Sequence, residues 1–144
     1  MARLAGGLAL LGHAEGERVA VLSLNSDRYY ETYFAVSWAG YCVVPLNTRW
    51  ALPENSYAIG DSQSRMLMFD DTFAGQAQSL LEEHECLVDG IYMGDADCPD
   101  WAVSYEDLIV NSDPCPASSR SADEMAGIFY TGGTTGFPKG VIKS

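Results

Sequence analysis

Val19-Ala20-Val21-Leu22-Ser23-Leu24, followed at once by Asn25-Ser26-Asp27, decides the fold class. The apolar run does not alternate with polar residues, so it predicts a strand covered on both faces. The Asn-Ser-Asp cluster supplies N-cap candidates for a helix running to about residue 39. Gly40 suits the end of that helix, and Cys42-Val43-Val44-Pro45-Leu46 predicts a second short strand. Outward from this unit the pattern repeats. A helix is expected from Pro53 to about residue 60, with the proline in its first turn, and a strand over 65–69. Asp70 or Asp71 can cap a helix over 72–83. A short strand at 91–93, a short helix at 105–110, a connecting loop at 113–123 and a strand at 125–130 follow, and Val141-Ile142 can begin a return strand. Upstream, Leu4, Leu8 and Leu11 fall on one face of a helix. Strands alternating with helices at this spacing predict an α/β fold with a largely parallel sheet. Ligands in such sheets sit beyond the carboxyl ends of the strands.

The 144 residues suffice for one domain with a real core, and 47% hydrophobic against 19% charged residues excludes a disordered chain. Net charge is −12. A surface this acidic repels nucleic acid, which is not an expected partner. It also repels free nucleotides at long range, so any nucleotide site must be locally positive. The chain's lysines, Lys139 and Lys143, both flank its most glycine-rich stretch. Cys42, Cys86, Cys98 and Cys115 show no metal-ligand spacing, and the apolar content does not call for a disulfide framework. Reduced cysteines and a cytoplasmic location are expected, with no metal site. The first fourteen residues imitate a leader only faintly, and the uncharged stretch 32–48 is broken by Gly40 and Pro45, so no transmembrane segment is expected. Tyr30, Tyr33, Phe34 and Ser37 share a helix face, and core packing is expected of the tyrosines and Trp38. No catalytic role is assigned to His13 or His84, and Glu82, Glu83 and Glu85 read as a solvated helix face.

Tyr130-Thr131-Gly132-Gly133-Thr134-Thr135-Gly136-Phe137-Pro138-Lys139-Gly140 carries the chemistry. Glycines let backbone N–H groups approach a ligand, threonines add hydroxyl donors, and lysine adds a mobile cation. These are the parts of a polyphosphate cradle. No Gly-Lys pair is present, which excludes the Walker loop, and no G-x-G-x-x-G opens a helix here. Pro138 biases Phe137 towards extended backbone, so a loop between two strands is predicted.

The run from Ile128 to Val141 resembles the AMP-binding signature of the adenylate-forming superfamily, which includes acyl-CoA synthetases, luciferases and peptide-synthetase adenylation domains. The stretches from Val19 to Ser26 and from Trp38 to Asn47 are similar to the early core of these enzymes, with the fatty-acyl-CoA ligase branch nearest in character. The resemblance implies an ATP-dependent ligase. It activates a carboxylic acid, in the first instance a fatty acid, as an acyl-adenylate and passes it to coenzyme A. ATP, Mg2+ and coenzyme A are the implied cofactors. It implies that Thr131, Thr134 and Thr135 donate hydroxyls to the β- and γ-phosphates, that Gly132, Gly133 and Gly136 give close backbone approach, and that Lys139 pairs with phosphate. Many members carry serine where Gly132 stands, so one donor is lost while the backbone N–H remains. The resemblance further implies that residues 1–144 form part of an N-terminal adenylation domain, ending just past the phosphate loop. The acidic magnesium ligand, the adenine-binding residues and the C-terminal domain with its catalytic lysine would then lie outside it, leaving no catalytic residue and no adenylation activity in this piece. The alternative is an inactive nucleotide-binding remnant or interaction module.

Overall fold

The computed structural model describes residues 1–132 and 138–144. In chain order the elements are α1 (Ala2–Leu10), β1 (Arg18–Leu22), α2 (Asp27–Trp38), β2 (Cys42–Pro45), α3 (Leu52–Ser62), β3 (Met66–Phe69), a single 3-10 turn (Asp71–Phe73), α4 (Ala74–Glu83), β4 (Asp89–Tyr92), β5 (Val103–Ser104), α5 (Tyr105–Val110), β6 (Gly127–Thr131) and β7 (Lys139–Lys143). Among the described residues the strands form one sheet in the order β5-β4-β3-β1-β2-β6-β7. All neighbours are parallel except β6 and β7. The expected α/β architecture is therefore present.

β1 lies mid-sheet between β2 and β3. Val19 and Val21 point to one face and pack with Leu4, Leu8, Ala35, Val36 and Leu108, from α1, α2 and α5. Ala20 and Leu22 point to the other and pack with Ala58, Ile59, Ala77 and Leu80, from α3 and α4. Successive strand residues alternate faces, so a strand with helices on both sides must be apolar throughout. The strand stops two residues earlier than expected. Asp70 Oδ2 accepts from Ser23 Oγ at 2.9 Å and from Leu24 N at 2.7 Å, and Leu24 turns outward, 51% exposed. A carboxylate at the end of β3 thus replaces ladder pairing at the end of β1. The same residue caps the next turn by accepting from Thr72 N at 3.0 Å, and α4 proper begins only at Ala74.

Of the three N-cap candidates before α2, Ser26 is the one used: its Oγ accepts from Tyr29 N at 3.0 Å. The helix closes on Gly40 at φ +83, a conformation that costs other residues strain. The expectation for its aromatics is corrected in part. Tyr29, Tyr33 and Trp38 lie against the core. Tyr30 and Phe34 face outward, 68% and 48% exposed, as an edge-to-face pair with centroids 5.0 Å apart. The helix turns its Thr32–Ala35–Val36 stripe to the sheet, which leaves positions 30, 34 and 37 opposite.

α1 is a packed helix. A Cβ on Gly6 would stand 2.2 Å from Asp113 O, and one on Gly7 2.7 Å from Leu108 O. The glycines that interrupt its apolar run let it touch α5 and the following loop. No helix among the described residues is long and apolar enough to cross a membrane.

Candidate functional site

β6 runs parallel to β2, with Val43 opposite Gly127. Its last residue, Thr131, therefore emerges at the carboxyl edge of the parallel sheet, the edge where α/β proteins bind ligands. β7 returns antiparallel, pairing Lys139 with Thr131, Gly140 with Tyr130 and Val141 with Phe129. The two strands expected on either side of the loop are present as β6 and β7, with Pro138 just before the second. Thr131, Gly132 and Lys139 are brought together at its stem. Gly133, Thr134, Thr135 and Gly136 lie outside the described residues.

The stem presents a hydroxyl, a glycine backbone and a cation. Thr131 Oγ1 donates to Lys139 O at 3.4 Å, a long bond that leaves the hydroxyl easily redirected. Among the described residues nothing stands within 4 Å of where a Gly132 Cβ would be. Lys139 is exposed. Lys143 pairs with Gly127 at the far end of β7, four residues and about 13 Å along the strand, so the two lysines do not converge.

A concavity of about 390 Å3 opens at the same edge, at the ends of β1, β3 and β4, lined by Asp27, Arg28, Asp70, Asp71 and Asp95 among others. Its charge does not suit phosphate, and its polar groups are already engaged. Arg28 donates to Met93 O at 3.2 Å, Gly94 O at 2.9 Å, Asp95 at 2.7 Å and Glu106 at 3.0 Å. The hydrogen bond to Asp95 chiefly raises its pKa. Asp71 accepts from the Tyr92 hydroxyl and from Asp95 N, and the tyrosine bond chiefly holds its carboxyl below the usual range. These are ties between strand ends. Lys139 sits three strands from β1, about 14 Å across the sheet, farther than one screening length at physiological salt. The acidic concavity therefore weakens an anion site at the hairpin only slightly.

Other chemistry-bearing groups are accounted for structurally. His13 Nε2 meets Asp89 Oδ2 at 2.6 Å, joining the loop after α1 to β4. Ser56 Oγ donates to Glu83 at 2.8 Å and meets His84 Nε2 at 2.8 Å. With its proton given to Glu83, the serine accepts from His84, so this trio is no nucleophile–base pair. All four cysteines are free, and burial raises the Cys42 thiol. Among the described residues no group of three or more His, Cys, Asp or Glu side chains is placed to hold a metal ion.

Sequence reasoning missed one contact of the stem. Tyr130 donates its hydroxyl to Asp61 Oδ2 on α3 at 2.6 Å, across 69 positions of chain. Burial first, and then this bond, raise the Tyr130 pKa. A separation that long leaves no spacing signal; the aromatic placed directly before the loop is its trace in the sequence.

A sequence model of AMP-binding enzymes matches residues 1–144. The chain belongs to the AMP-binding enzyme family. The long-chain-fatty-acid–CoA ligase of Thermus thermophilus is 35% identical to this AMP-binding chain over 143 residues, covering 99% of the chain and 26% of the ligase. The fatty acid–[acyl-carrier-protein] ligase ScoC of Streptomyces coeruleorubidus is 34% identical over 140 residues, covering 97% and 25%. Among solved structures, the anthranilate CoA ligase AuaEII in complex with anthranoyl-AMP matches with a TM-score of 0.90 at 26% identity, covering 97% of this chain and 27% of that one. The chain thus spans about a quarter of the length of the relatives it matches. The mostly parallel sheet with its terminal antiparallel hairpin is the N-terminal fold of adenylate-forming enzymes.

Proposed function

We propose that this chain forms the N-terminal part of an adenylation domain in an ATP-dependent acid–thiol ligase, and that the β6–β7 hairpin receives the phosphates of ATP. The observation that carries the reading is the stem itself, where Thr131, Gly132 and Lys139 meet at the carboxyl edge of the sheet. In the proposed reaction a carboxylate oxygen attacks the α-phosphorus of ATP. The bond to the β-bridging oxygen breaks, and pyrophosphate leaves with the electron pair. A thiol sulfur then takes the acyl group and AMP departs.

This chain's own residues act on the departing pyrophosphate. Lys139 supplies a charge-assisted contact and Thr131 a hydroxyl. Gly132 gives its N–H without a side chain in the way, and Gly133, Thr134, Thr135 and Gly136 complete the cradle by the family resemblance. Mg2+ would share the phosphate charge, and no described residue is assigned to it. A fatty acid is the acid we place first, and coenzyme A the thiol. The fatty-acid and anthranilate specificities named for the relatives, and the carrier-protein acceptor of one of them, show how widely both vary within the family.

Titrating the chain with ATP and Mg2+ while following backbone amides by NMR tests the hairpin. Shifts centred on Thr131, Gly132 and Lys139, abolished in Lys139→Ala, are expected. Shifts confined to the acidic concavity, or none anywhere, would remove the proposal.

A further inference from the structure

β6 meets β2 through a single paired position, Val43 with Gly127, whereas β1 and β2 pair over four. Beyond Gly127 no further position of β6 is in register with β2, and Ile128 is the last side chain of the strand buried in the core, yet the stretch that follows carries the loop. Among the described residues Tyr130 supplies the polar hold on this stretch, beside the packing of Ile128 in the core. Side chains alternate along the strand, so Ile128 and Tyr130 face α3 while Phe129 and Thr131 face the opposite side. The Tyr130 hydroxyl donates to Asp61 Oδ2 at 2.6 Å. Its ring lies over β7 at Gly140, where a Cβ would stand 3.2 Å from Tyr130 Cζ and 2.9 Å from Ile128 Cγ2. Asp61 in turn stands on a fixed post. Arg18 Nε donates to Ser62 O at 2.8 Å and Arg18 Nη2 to Gln63 O at 3.0 Å, pinning the end of α3 to the start of β1. Ser62 Oγ and Ser64 Oγ are 2.8 Å apart beneath it.

We propose that Tyr130 and Asp61 form a strut that sets the position of the phosphate loop, with Tyr130 as its positioning residue. The inference rests on the phosphate reading of the hairpin. The next residue along, Thr131, is paired with Lys139, so holding Tyr130 holds both polar groups of the stem. The hydroxyl contributes through a charge-assisted bond. The ring contributes by packing closely, together with Ile128, over Gly140 of β7.

The test uses the whole chain as Tyr130→Phe, Asp61→Ala, the double variant and Asp61→Asn, which keeps an acceptor oxygen. Tyr30→Phe, on the exposed face of α2, serves as a control. Amide hydrogen exchange is read by mass spectrometry, and the affinity for inorganic tripolyphosphate by calorimetry. Tyr130→Phe and Asp61→Ala should each lose about tenfold protection across β6 and β7, with β1 and β3 unchanged. The double variant should lose no more than either single one, and Asp61→Asn should recover part of the loss. Tripolyphosphate affinity should fall in step. Unchanged hairpin protection, additive losses, or affinity that holds while protection falls would overturn the strut. Asp61 is exposed, so its variants keep the test open should Tyr130→Phe fail to fold. If the parent chain binds no tripolyphosphate, the phosphate reading falls, and exchange alone then decides whether the strut exists.

Discussion

Replacing Asn55 with leucine should stabilise this protein. Asn55 sits on the core face of α3, one turn before Ala58 and Ile59, and is fully buried. Among the described residues neither its Oδ1 nor its Nδ2 has a hydrogen-bond partner. A buried polar group left unpaired costs about 1–3 kcal/mol, and this side chain holds two. Leucine is close in volume, removes both penalties and adds apolar surface to the cluster around Ile59 and Leu80. Changing a planar amide for a branched alkyl costs about 1–1.5 kcal/mol in repacking. The net gain is about 2 kcal/mol, or about 4–8 °C in Tm for a chain of this size. Urea unfolding should show a higher midpoint at unchanged slope, since the surface exposed on unfolding barely changes. Asn55→Ala, which removes the amide but leaves a hole, should fall between parent and leucine variant. A leucine variant no more stable than the parent would refute the reasoning, because it would mean that the amide is satisfied in solution.

Lys139→Ala should weaken tripolyphosphate binding by about tenfold or more, since a charge-assisted contact contributes ~1.5–3 kcal/mol, and should leave Tm unchanged because the side chain is exposed; calorimetry and a melting curve read both. Asp70→Ala removes the bonds from Ser23 Oγ, Leu24 N and Thr72 N together, and urea unfolding should show a loss of about 2–4 kcal/mol. Asp71 has a lowered carboxyl pKa in the folded state, so its contribution to stability is complete above the ordinary carboxylate range and disappears as pH falls through the lowered value. The acid limb of a stability–pH curve, below about pH 4, should therefore be shallower in Asp71→Asn.

What the sequence disclosed and what it withheld follow from the range of the forces involved. The interior of β1 was readable because burial on both faces demands an apolar run, and Ser26 because a cap acts on its own neighbours. The helix at Tyr105–Val110 appeared at its expected bounds for the same local reason, with Ser104 capping it. The end of β1 was not readable, because Asp70, 46 positions away, captures Leu24 N. β5 escaped because it has two residues, too few for any alternation to show. Tyr30 and Phe34 misled because an aromatic residue signals burial only on average, and this helix turns its small residues inward. At the candidate site the loop's composition and its strand-to-strand form were legible. The hold of Asp61 on Tyr130 was not, since it joins elements that meet only in the folded sheet.

The distribution of cations explains why that hold matters. Arg3, Arg18, Arg28 and Arg120 each donate to a backbone carbonyl, of Ser112, Ser62, Gly94 and Gly40 respectively. The planar guanidinium fork suits this stapling, and a guanidinium so engaged is not free to meet an incoming phosphate. At the loop end of the hairpin stands Lys139, a point charge on a flexible stem, with Arg49 exposed in the turn after the neighbouring β2 and Lys143 at the far end of β7, in a chain of net charge −12. The field of the whole molecule opposes a polyphosphate, and the sheet's acidic concavity is too distant to matter once salt screens it. Attraction must therefore come from contact distances alone, through a few donors held where the phosphate oxygens arrive. Contact energies of that kind fall steeply with misplacement. A stem paired to the sheet at one position would let its donors wander, and fastening Tyr130 to α3 removes that freedom before any ligand binds.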